Sequence, residues 1–317
     1  MGKQDIMSHV DKTLQKYGLV VAFVVICTIL SLRSPAFLSV ANAINVLRQI
    51  SINSILAIGV TYVILAGGID LSLGSVVALT GVLAATFAHP DTYPLVIPLT
   101  AGLLGGVLIG VVNGLVITRF RVAPFIATLG MMTMARGAAL IVSKGRPVSN
   151  LSASFNLIGN GSVLGIPVPI LILAAVFLVS YFVLRRTTLG RYIYAVGGNE
   201  EAARASGIST HKIKIACYSV CAGLAGLAGI IQASRITTGQ PNAGVSYELD
   251  AIAAVVIGGT SLSGGVGGVS GTLLGALLIG TLNNGLDLLN VPSYYQQVIK
   301  GLIIIGAVIL DRERGTK

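Results

Sequence analysis

Ten apolar runs, separated by short polar connections, occupy most of this chain of 317 residues. A helix that crosses the hydrocarbon core of a bilayer needs about 20 predominantly apolar residues. The eighth run has only 11 residues and fits a re-entrant segment as well as a complete span. We therefore predict an all-α integral membrane protein with about ten transmembrane helices. The runs are Tyr17–Leu32, Ile50–Ala66, Leu73–Ala88, Pro94–Thr118, Phe125–Ser143, Ile166–Leu184, Ile215–Ser234, Leu249–Gly259, Gly271–Leu289 and Tyr294–Leu310.

The composition supports this class. Charged residues make up 10% of the chain, whereas soluble domains carry about 25%. The 40 glycines favour close helix packing, because small residues let backbones approach where lipid supplies no hydrophobic force between helices. Cys217 and Cys221 share one helix face without a histidine or an acid that completes four ligands, so we expect small buried side chains there. We expect no metal site, no cofactor and no enzymatic active site.

The basic residues lie mostly in short connections beside the apolar runs, so the net charge of +10 does not indicate a nucleic-acid partner. Their asymmetry predicts that both termini are cytoplasmic. The predicted organisation is a cytoplasmic tail over residues 1–16, a transmembrane domain over 17–310 with a cytoplasmic loop at 185–214, and a cytoplasmic tail over 311–317. The cytoplasmic side then holds Lys3, Lys12, Lys16, Arg119, Arg121, Arg185, Arg186, Arg191, Arg204, Lys212, Lys214, Arg312, Arg314 and Lys317, and the opposite side holds Arg33, Arg48, Lys144, Arg146 and Arg235.

The segment GGIDLSLGS, Gly67–Ser75, interrupts the apolar pattern between the second and third runs. A carboxylate or an unsatisfied backbone group costs several kcal/mol in hydrocarbon, so this break must lie against protein or a water-filled path. It therefore indicates transport. Asp70 has two interpretations. We favour a cap of the third helix that accepts the N–H groups of Ser72 and Leu73; the alternative is a gate residue that faces the substrate.

Two stretches of the sequence repeat. LLGGVLIGVVNGL (Leu103–Leu115) and LLGALLIGTLNNGL (Leu273–Leu286) share the pattern LLGxxLIGxxN, and GGTSLSGG (Gly258–Gly265) resembles the break. The ten-helix topology makes the two copies run in opposite directions, so we predict an inverted internal repeat, as in many transporters. Chance similarity between helices rich in Gly and Leu is the alternative. The candidate residues of the translocation path or helix break are Asp70, Ser72, Asn113, Thr128, Asn283 and Asn284.

Interhelical hydrogen bonds are the other interpretation of these asparagines. We expect Arg136 to point into protein or toward the aqueous end of its helix rather than to contact a substrate.

The longest polar connection, residues 185–214, contains a short predicted helix, Asn199–Ser206. Asn199 is a good N-cap, and Glu200 and Glu201 follow in the first turn, where the helix dipole favours acids. Gly207 suits the C′ position after the helix. The residues alone fit a solvated loop with topogenic charges equally well.

Three motifs carry a family resemblance. The chain contains three motifs in this order: GGIDLSLGS, GGNEEAARASGI (197–208) and YELDAIAAVVIGGTSLSGG (247–265). Together they resemble the permease subunit of bacterial sugar ABC importers, and they are most similar to those for ribose. The resemblance extends from about Pro35 to Leu310. It implies a cytoplasmic coupling helix that docks on an ATPase subunit through Gly198, Asn199, Glu200, Glu201, Ala202, Ala205 and Gly207.

The resemblance also implies the partners and the location. They are a cytoplasmic ATP-binding cassette ATPase, a periplasmic or lipid-anchored sugar-binding protein and a second permease copy, assembled at the bacterial inner membrane. The chain has no GxxxxGK[ST] phosphate loop, so ATP hydrolysis is expected on a separate chain.

The implied function is import of a ribose-like monosaccharide without covalent change. One alternative is an amino-acid permease of the same superfamily. Another is an ion-coupled secondary transporter, which needs intramembrane acids; beyond Asp70, the chain offers Asp250 and Asp287 near helix ends.

Overall fold

The computed structural model describes residues 19–90 and 92–315, and only the backbone at residues 304 and 307–315. The predicted tail of residues 1–16, the start of the first run at Tyr17 and the last two residues of the C-terminal tail lie outside the described residues. The described chain is helical apart from one small hairpin, so the all-α class is confirmed. The elements are α1 Leu19–Arg33, α2 Val40–Leu65, α3 Leu73–Phe87, α4 Val96–Arg119, α5 Pro124–Ser143, α6 Ala153–Asn160, β1 Ser162–Val163, β2 Ile166–Pro167, α7 Val168–Arg186, α8 Thr188–Gly198, α9 Glu200–Ala205, α10 Thr210–Arg235, α11 Tyr247–Ile257, α12 Val269–Leu288 and α13 Ser293–Gly315.

Each predicted apolar run coincides with one helix, and the largest difference concerns the start of α2. That helix begins at Val40 rather than Ile50. Polar residues from Asn42 to Gln49 interrupt the apolar pattern, but Ser39 caps the helix by accepting the Asn42 N–H at 3.2 Å. Asn42 is then satisfied by a hydrogen-bonded pair with Asn284.

Six helices of the described chain are long and apolar enough to cross a membrane: α2, α4, α5, α7, α10 and α12. α1 and α3 are apolar but shorter, with 15 residues in α3. α11 has 11 residues, so the eighth run is as short in the structure as in the sequence. The count of ten complete spans stays a prediction.

The centre of the molecule is formed by α2 and α10. Every residue of α2 from Ile50 to Leu65 is buried, as expected for a helix that is surrounded by other helices. α10 packs against α2, α3 and α4, and α11 and α12 pack on α2; α5 lies on α3, α7 on α2 and α13 on α11.

Glycines set the distance between α4 and α10. A Cβ atom at Gly106 would lie 2.4 Å from the Ala222 carbonyl oxygen, and one at Gly110 would lie 2.2 Å from the Tyr218 carbonyl oxygen. These positions admit only hydrogen at the contact, so the backbones approach closely, as in small-residue interfaces of membrane helices.

The repeated helices α4 and α12 run in opposite directions, as an inverted repeat requires. Just after α4 ends, Arg121 lines a pocket with Glu200 of α9. Just before α12 begins, the Gly267 carbonyl accepts a hydrogen bond from Tyr194 Oη of α8 at 2.9 Å. α8 and α9 are consecutive, so α4 ends and α12 begins at the same end of the bundle, which we call the α8–α9 end. At the other end, Ser152, which caps α6, donates its N–H to the Ala88 carbonyl at 2.7 Å.

Candidate functional site

The two glycine pairs that resemble each other in sequence end their helices in the same way. Gly67 has φ 74°, and the next residue, Gly68, donates its N–H to Val63 at 2.9 Å. Gly259 has φ 85°, and Thr260 donates to Val255 at 3.1 Å. Both are C-terminal caps that place a left-handed residue after the helix and return a hydrogen bond to its last turn. The two segments therefore share a type of cap, although the left-handed residue is the first glycine of Gly67–Gly68 and the second glycine of Gly258–Gly259.

The two breaks meet each other and the end of α8. Gly265 donates its N–H to the Leu65 carbonyl at 3.0 Å, so the second break satisfies a carbonyl at the C-terminus of α2. Gly197 of α8 leaves no room for a side chain between Leu65 and Gly265, because a Cβ there would overlap the Leu65 carbonyl oxygen. The chain passes from Gly197 through Asn199 into α9. Gly197, the residue directly before the predicted coupling segment, thus lies against both breaks.

Asp70 is completely buried in the first break. Its Oδ1 accepts the Ser72 N–H at 2.8 Å and the Ser72 hydroxyl at 2.6 Å, and Ser72 Oγ accepts from Asn113 Nδ2 at 3.2 Å. The predicted bond to Leu73 is absent from the described structure, because a carboxylate in this local turn reaches the N–H two residues ahead. Asp70 Oδ2 is buried without a hydrogen-bond partner among the described residues.

The second copy of the repeat holds a similar polar cluster. Asn283, which aligns with Asn113, donates to Asp250 Oδ2 at 3.2 Å, and Lys300 Nζ lies 2.9 Å from the same oxygen. Asn113 and Asn283 therefore each join a cluster that contains one buried carboxylate, and the second cluster connects α11, α12 and α13.

The predicted path residues do not converge on one site. Asp70, Ser72 and Asn113 form one cluster and Asn283 belongs to another. Asn284 pairs with Asn42 of α2, and the buried Thr128 donates to the Pro124 carbonyl of its own helix at 2.9 Å.

The helix predicted in the 185–214 loop is present as α9. Asn199 Oδ1 accepts the Ala202 N–H at 2.9 Å, and Ile208 donates to Ala203 at 3.0 Å across Gly207, which has φ 83°. Both ends agree with the predicted caps. The exposed residues of this segment include Gly198, Glu201, Ala202, Ala205 and Gly207.

Glu200 differs from Glu201 because its carboxylate forms ion pairs within the chain. Its carboxylate pairs with Lys214 of α10 and with Arg204, the latter at 3.3 Å. Partial burial opposes ionisation of Glu200, but the hydrogen bond and the charge of Lys214 outweigh it and hold the pKa of this carboxyl below its usual range. Glu200 thus connects α9 to the N-terminal part of α10, and Glu201 has no such partner in the described structure.

Residues 42–308 match the family described as branched-chain amino acid transport system, permease component. The chain belongs to this family of membrane permeases. The ribose import permease protein of Haemophilus influenzae is 50% identical over 301 residues, which cover 94% of this chain and 93% of that protein. The ribose import permease protein of Bacillus subtilis is 49% identical over 308 residues, covering 96% and 95% of the two chains.

A third relative, the L-arabinose ABC transporter permease protein of Azospirillum brasilense, is 39% identical over 301 residues, covering 95% of this chain and 88% of the relative. No solved structure matches. The family resemblance that the three motifs indicated is confirmed, and the chain is a multi-pass membrane permease.

The surroundings of two acids in this permease were not predicted from the sequence. Asp250 pairs with Lys300, 50 positions later, and Glu248 lines the same cavity as Arg136, more than 100 positions earlier. The motif YELD places both acids in the first turn of α11. Two acids directly beside an apolar run were the sequence feature that could have indicated these polar contacts.

Proposed function

We propose that this chain is the transmembrane permease subunit of an ATP-driven importer that moves ribose, or a similar monosaccharide, into the cytoplasm. The proposal rests on the similarity to ribose import permeases, which are about 50% identical to this chain over more than nine-tenths of its length. The importer class is supported by the A. brasilense relative, whose name states that it is an ABC transporter permease.

The partners in this proposal are a cytoplasmic ATP-binding cassette ATPase on a separate chain, a periplasmic or lipid-anchored sugar-binding protein and a second permease copy. The assembly lies in the bacterial inner membrane with both termini in the cytoplasm. Clustering of basic side chains at the α8–α9 end supports this orientation, because Arg121, Arg204 and Lys214 line one pocket there.

The coupling segment of the proposal is Gly198–Gly207, with the docking contacts made by its exposed face. ATP binding closes the ATPase pair and moves α9. Since α8 contacts both breaks through Gly197, that movement reaches the C-terminal ends of α2 and α11 without an intervening flexible loop. Asp70, Ser72 and Asn113 hold the first break together during the cycle, and the sugar passes without covalent change.

The substrate class is tested by reconstituting the permease in liposomes with its ATPase and binding protein. Uptake of labelled ribose, allose, xylose, galactose and fructose is measured with and without ATP. We expect ATP-dependent uptake of one of these sugars. Uptake under an ion gradient in ATP-free liposomes that contain the permease alone would instead establish a secondary transporter.

An amino-acid permease is the second candidate, because the family description names branched-chain amino acids. Labelled leucine in the same liposomes separates the two functions, and ATP-dependent uptake of leucine without any sugar uptake would overturn the proposal.

The docking surface is tested by enlarging an exposed alanine of α9. We expect Ala205→Leu to reduce co-purification of the ATPase and sugar uptake while membrane insertion stays normal. Ala153→Leu is the matched control, because Ala153 is an exposed helical alanine at the opposite end of the molecule. Normal ATPase recovery with Ala205→Leu would place the docking contacts elsewhere.

A further inference from the structure

A cavity of about 550 Å³ lies between α3, α5 and the first turn of α11. Its volume is within the usual range of small-molecule sites, about 300–1,000 Å³. Met132 and Leu140 contribute apolar walls, and the polar groups that line it come from Ser75, Thr133, Arg136 and Glu248. This mixture of apolar wall and a few convergent polar groups is typical of binding sites.

The cavity lies near the middle of a span and opens at the surface of the bundle, where Thr133 and Val245 are exposed. Arg136 follows Pro124 at the start of α5 by 12 residues, which is about 18 Å along a helix. Pro124 itself lines the pocket at the α8–α9 end, so Arg136 lies near the middle of the span. Ser75, in the first turn of α3, places the cavity directly after the first helix break.

Arg136 is held in place by two backbone carbonyls. Its Nη1 donates to Pro241 at 2.6 Å and to Ala243 at 2.8 Å. A guanidinium has five N–H donors, and the other three have no hydrogen-bond partner among the described residues. The side chain therefore points into protein, as predicted from the sequence. Its remaining donors are the reason to revise the accompanying expectation that it does not contact a substrate.

Glu248 supplies the complementary acceptor. Backbone N–H groups of Ser246 and of Glu248 itself stabilise its carboxylate. No described side chain donates a hydrogen bond to it, and it forms no direct ion pair with Arg136, since the ion pairs of the described chain join Glu200 to Arg204 and Lys214, and Asp250 to Lys300. The Glu248 side chain packs against α3 at Gly74, where there is no room for a larger residue, because a Cβ at Gly74 would lie 2.3 Å from Glu248 Oε2.

Arg136 and Glu248 attract each other across the cavity without a direct ion pair, and ionisable residues inside membrane proteins mark substrate pathways. We propose that the cavity is a monosaccharide-binding site of the translocation path, in which Arg136 donates to the sugar and Glu248 accepts from it. The substrate class rests on the proposed function. A neutral sugar suits the site because each hydroxyl both donates and accepts, so one molecule satisfies the cation and the anion without adding a net charge.

The test uses the reconstituted complex of permease, ATPase and binding protein, with labelled ribose as the probe. Glu248→Gln keeps the shape of the side chain and removes its charge, and Thr133→Val removes a hydroxyl that lines the cavity at an exposed helix position. Thr100→Val is the matched control, because Thr100 is also exposed and, like Thr133, donates to its own helix.

Both ribose uptake and ATP hydrolysis stimulated by the loaded binding protein are measured. Replacement of a charge-assisted hydrogen bond by a neutral one predicts that Glu248→Gln lowers uptake about tenfold, with a smaller loss for Thr133→Val. Stimulated ATP hydrolysis stays at the wild-type rate, and Thr100→Val changes neither quantity.

Ribose uptake at the wild-type rate in both Glu248→Gln and Thr133→Val would overturn this inference and leave the proposed function intact. Parallel loss of uptake and ATP hydrolysis would also overturn it, because that result indicates a structural role. Wild-type liposomes that import leucine and no sugar would instead overturn the proposed function.

Discussion

Gly110→Ala is expected to separate α4 from α10. The added Cβ atom would lie 2.2 Å from the Tyr218 carbonyl oxygen and 2.7 Å from Ser219 Cα. Both neighbours are backbone atoms of α10, so relief of the overlap requires movement of a whole helix rather than of one side chain. Tyr218 also donates its hydroxyl to the Ile69 carbonyl at 3.2 Å, so the movement reaches the first break.

The magnitude is obtained by comparison with Gly130→Ala on α5. Both are glycines inside helices, so the gain in helix propensity, about 1 kcal/mol, is common to the two variants. A Cβ at Gly130 meets nothing within 4 Å, and the difference between the variants is therefore the cost of overpacking, about 1–3 kcal/mol. The contact is with backbone, so we expect a value near 3 kcal/mol.

The assay is unfolding of each purified variant in mixed detergent micelles by increasing SDS, followed by far-ultraviolet circular dichroism. Gly110→Ala should unfold at lower SDS than the wild type, and Gly130→Ala at an equal or higher concentration. Gly137→Ala is a second control, since its Cβ also meets nothing within 4 Å. Equal stability of Gly110→Ala and Gly130→Ala would refute the backbone contact between α4 and α10.

Three further outcomes are expected. Asp250→Ala, which leaves Lys300 without its ion-pair partner, should cost about 2–3 kcal/mol in the SDS titration, below the usual range for a fully buried pair because Lys300 is 22% exposed; wild-type stability would show that the pair is not formed. Asp70→Asn should lower the folded yield by weakening the turn before α3, with unchanged sugar preference, whereas normal yield with altered preference would make Asp70 a substrate residue. The lowered pKa of Glu200 means that its pairing with Lys214 stabilises α9 above the ordinary glutamate pKa and loses that contribution as the pH falls through the folded-state pKa. The protection factors of the α9 amides, which are corrected for the intrinsic pH dependence of exchange, should therefore fall over that acidic range in the wild type and lose this dependence in Lys214→Met.

Local patterns predicted a large part of this fold. The apolar runs located the helices because the bilayer requires a fixed length of apolar sequence. The caps of α9 followed from Asn199 and Gly207, since capping depends on side chains within a few positions of the helix end. The start of α2 did not follow, because its polar first turns become compatible with a helix through the pairing of Asn42 with Asn284.

The candidate site divides in the same way. The opposite directions of α4 and α12 follow from the order of the helices along the chain, and the two similar caps follow from local glycine pairs. The contact between Gly265 and Leu65, however, joins residues 200 positions apart, and no local pattern encodes such a partner.

The sequence by itself thus determined the membrane class, the positions of the helices, the local caps and the family. The tertiary structure decided that the two breaks and the end of α8 form one contact, and that Arg136 and Glu248 line the same cavity without pairing. The physical reason is that hydropathy and capping depend on residues within a single helix and its ends, whereas a cavity between helices exists only after distant helices have packed.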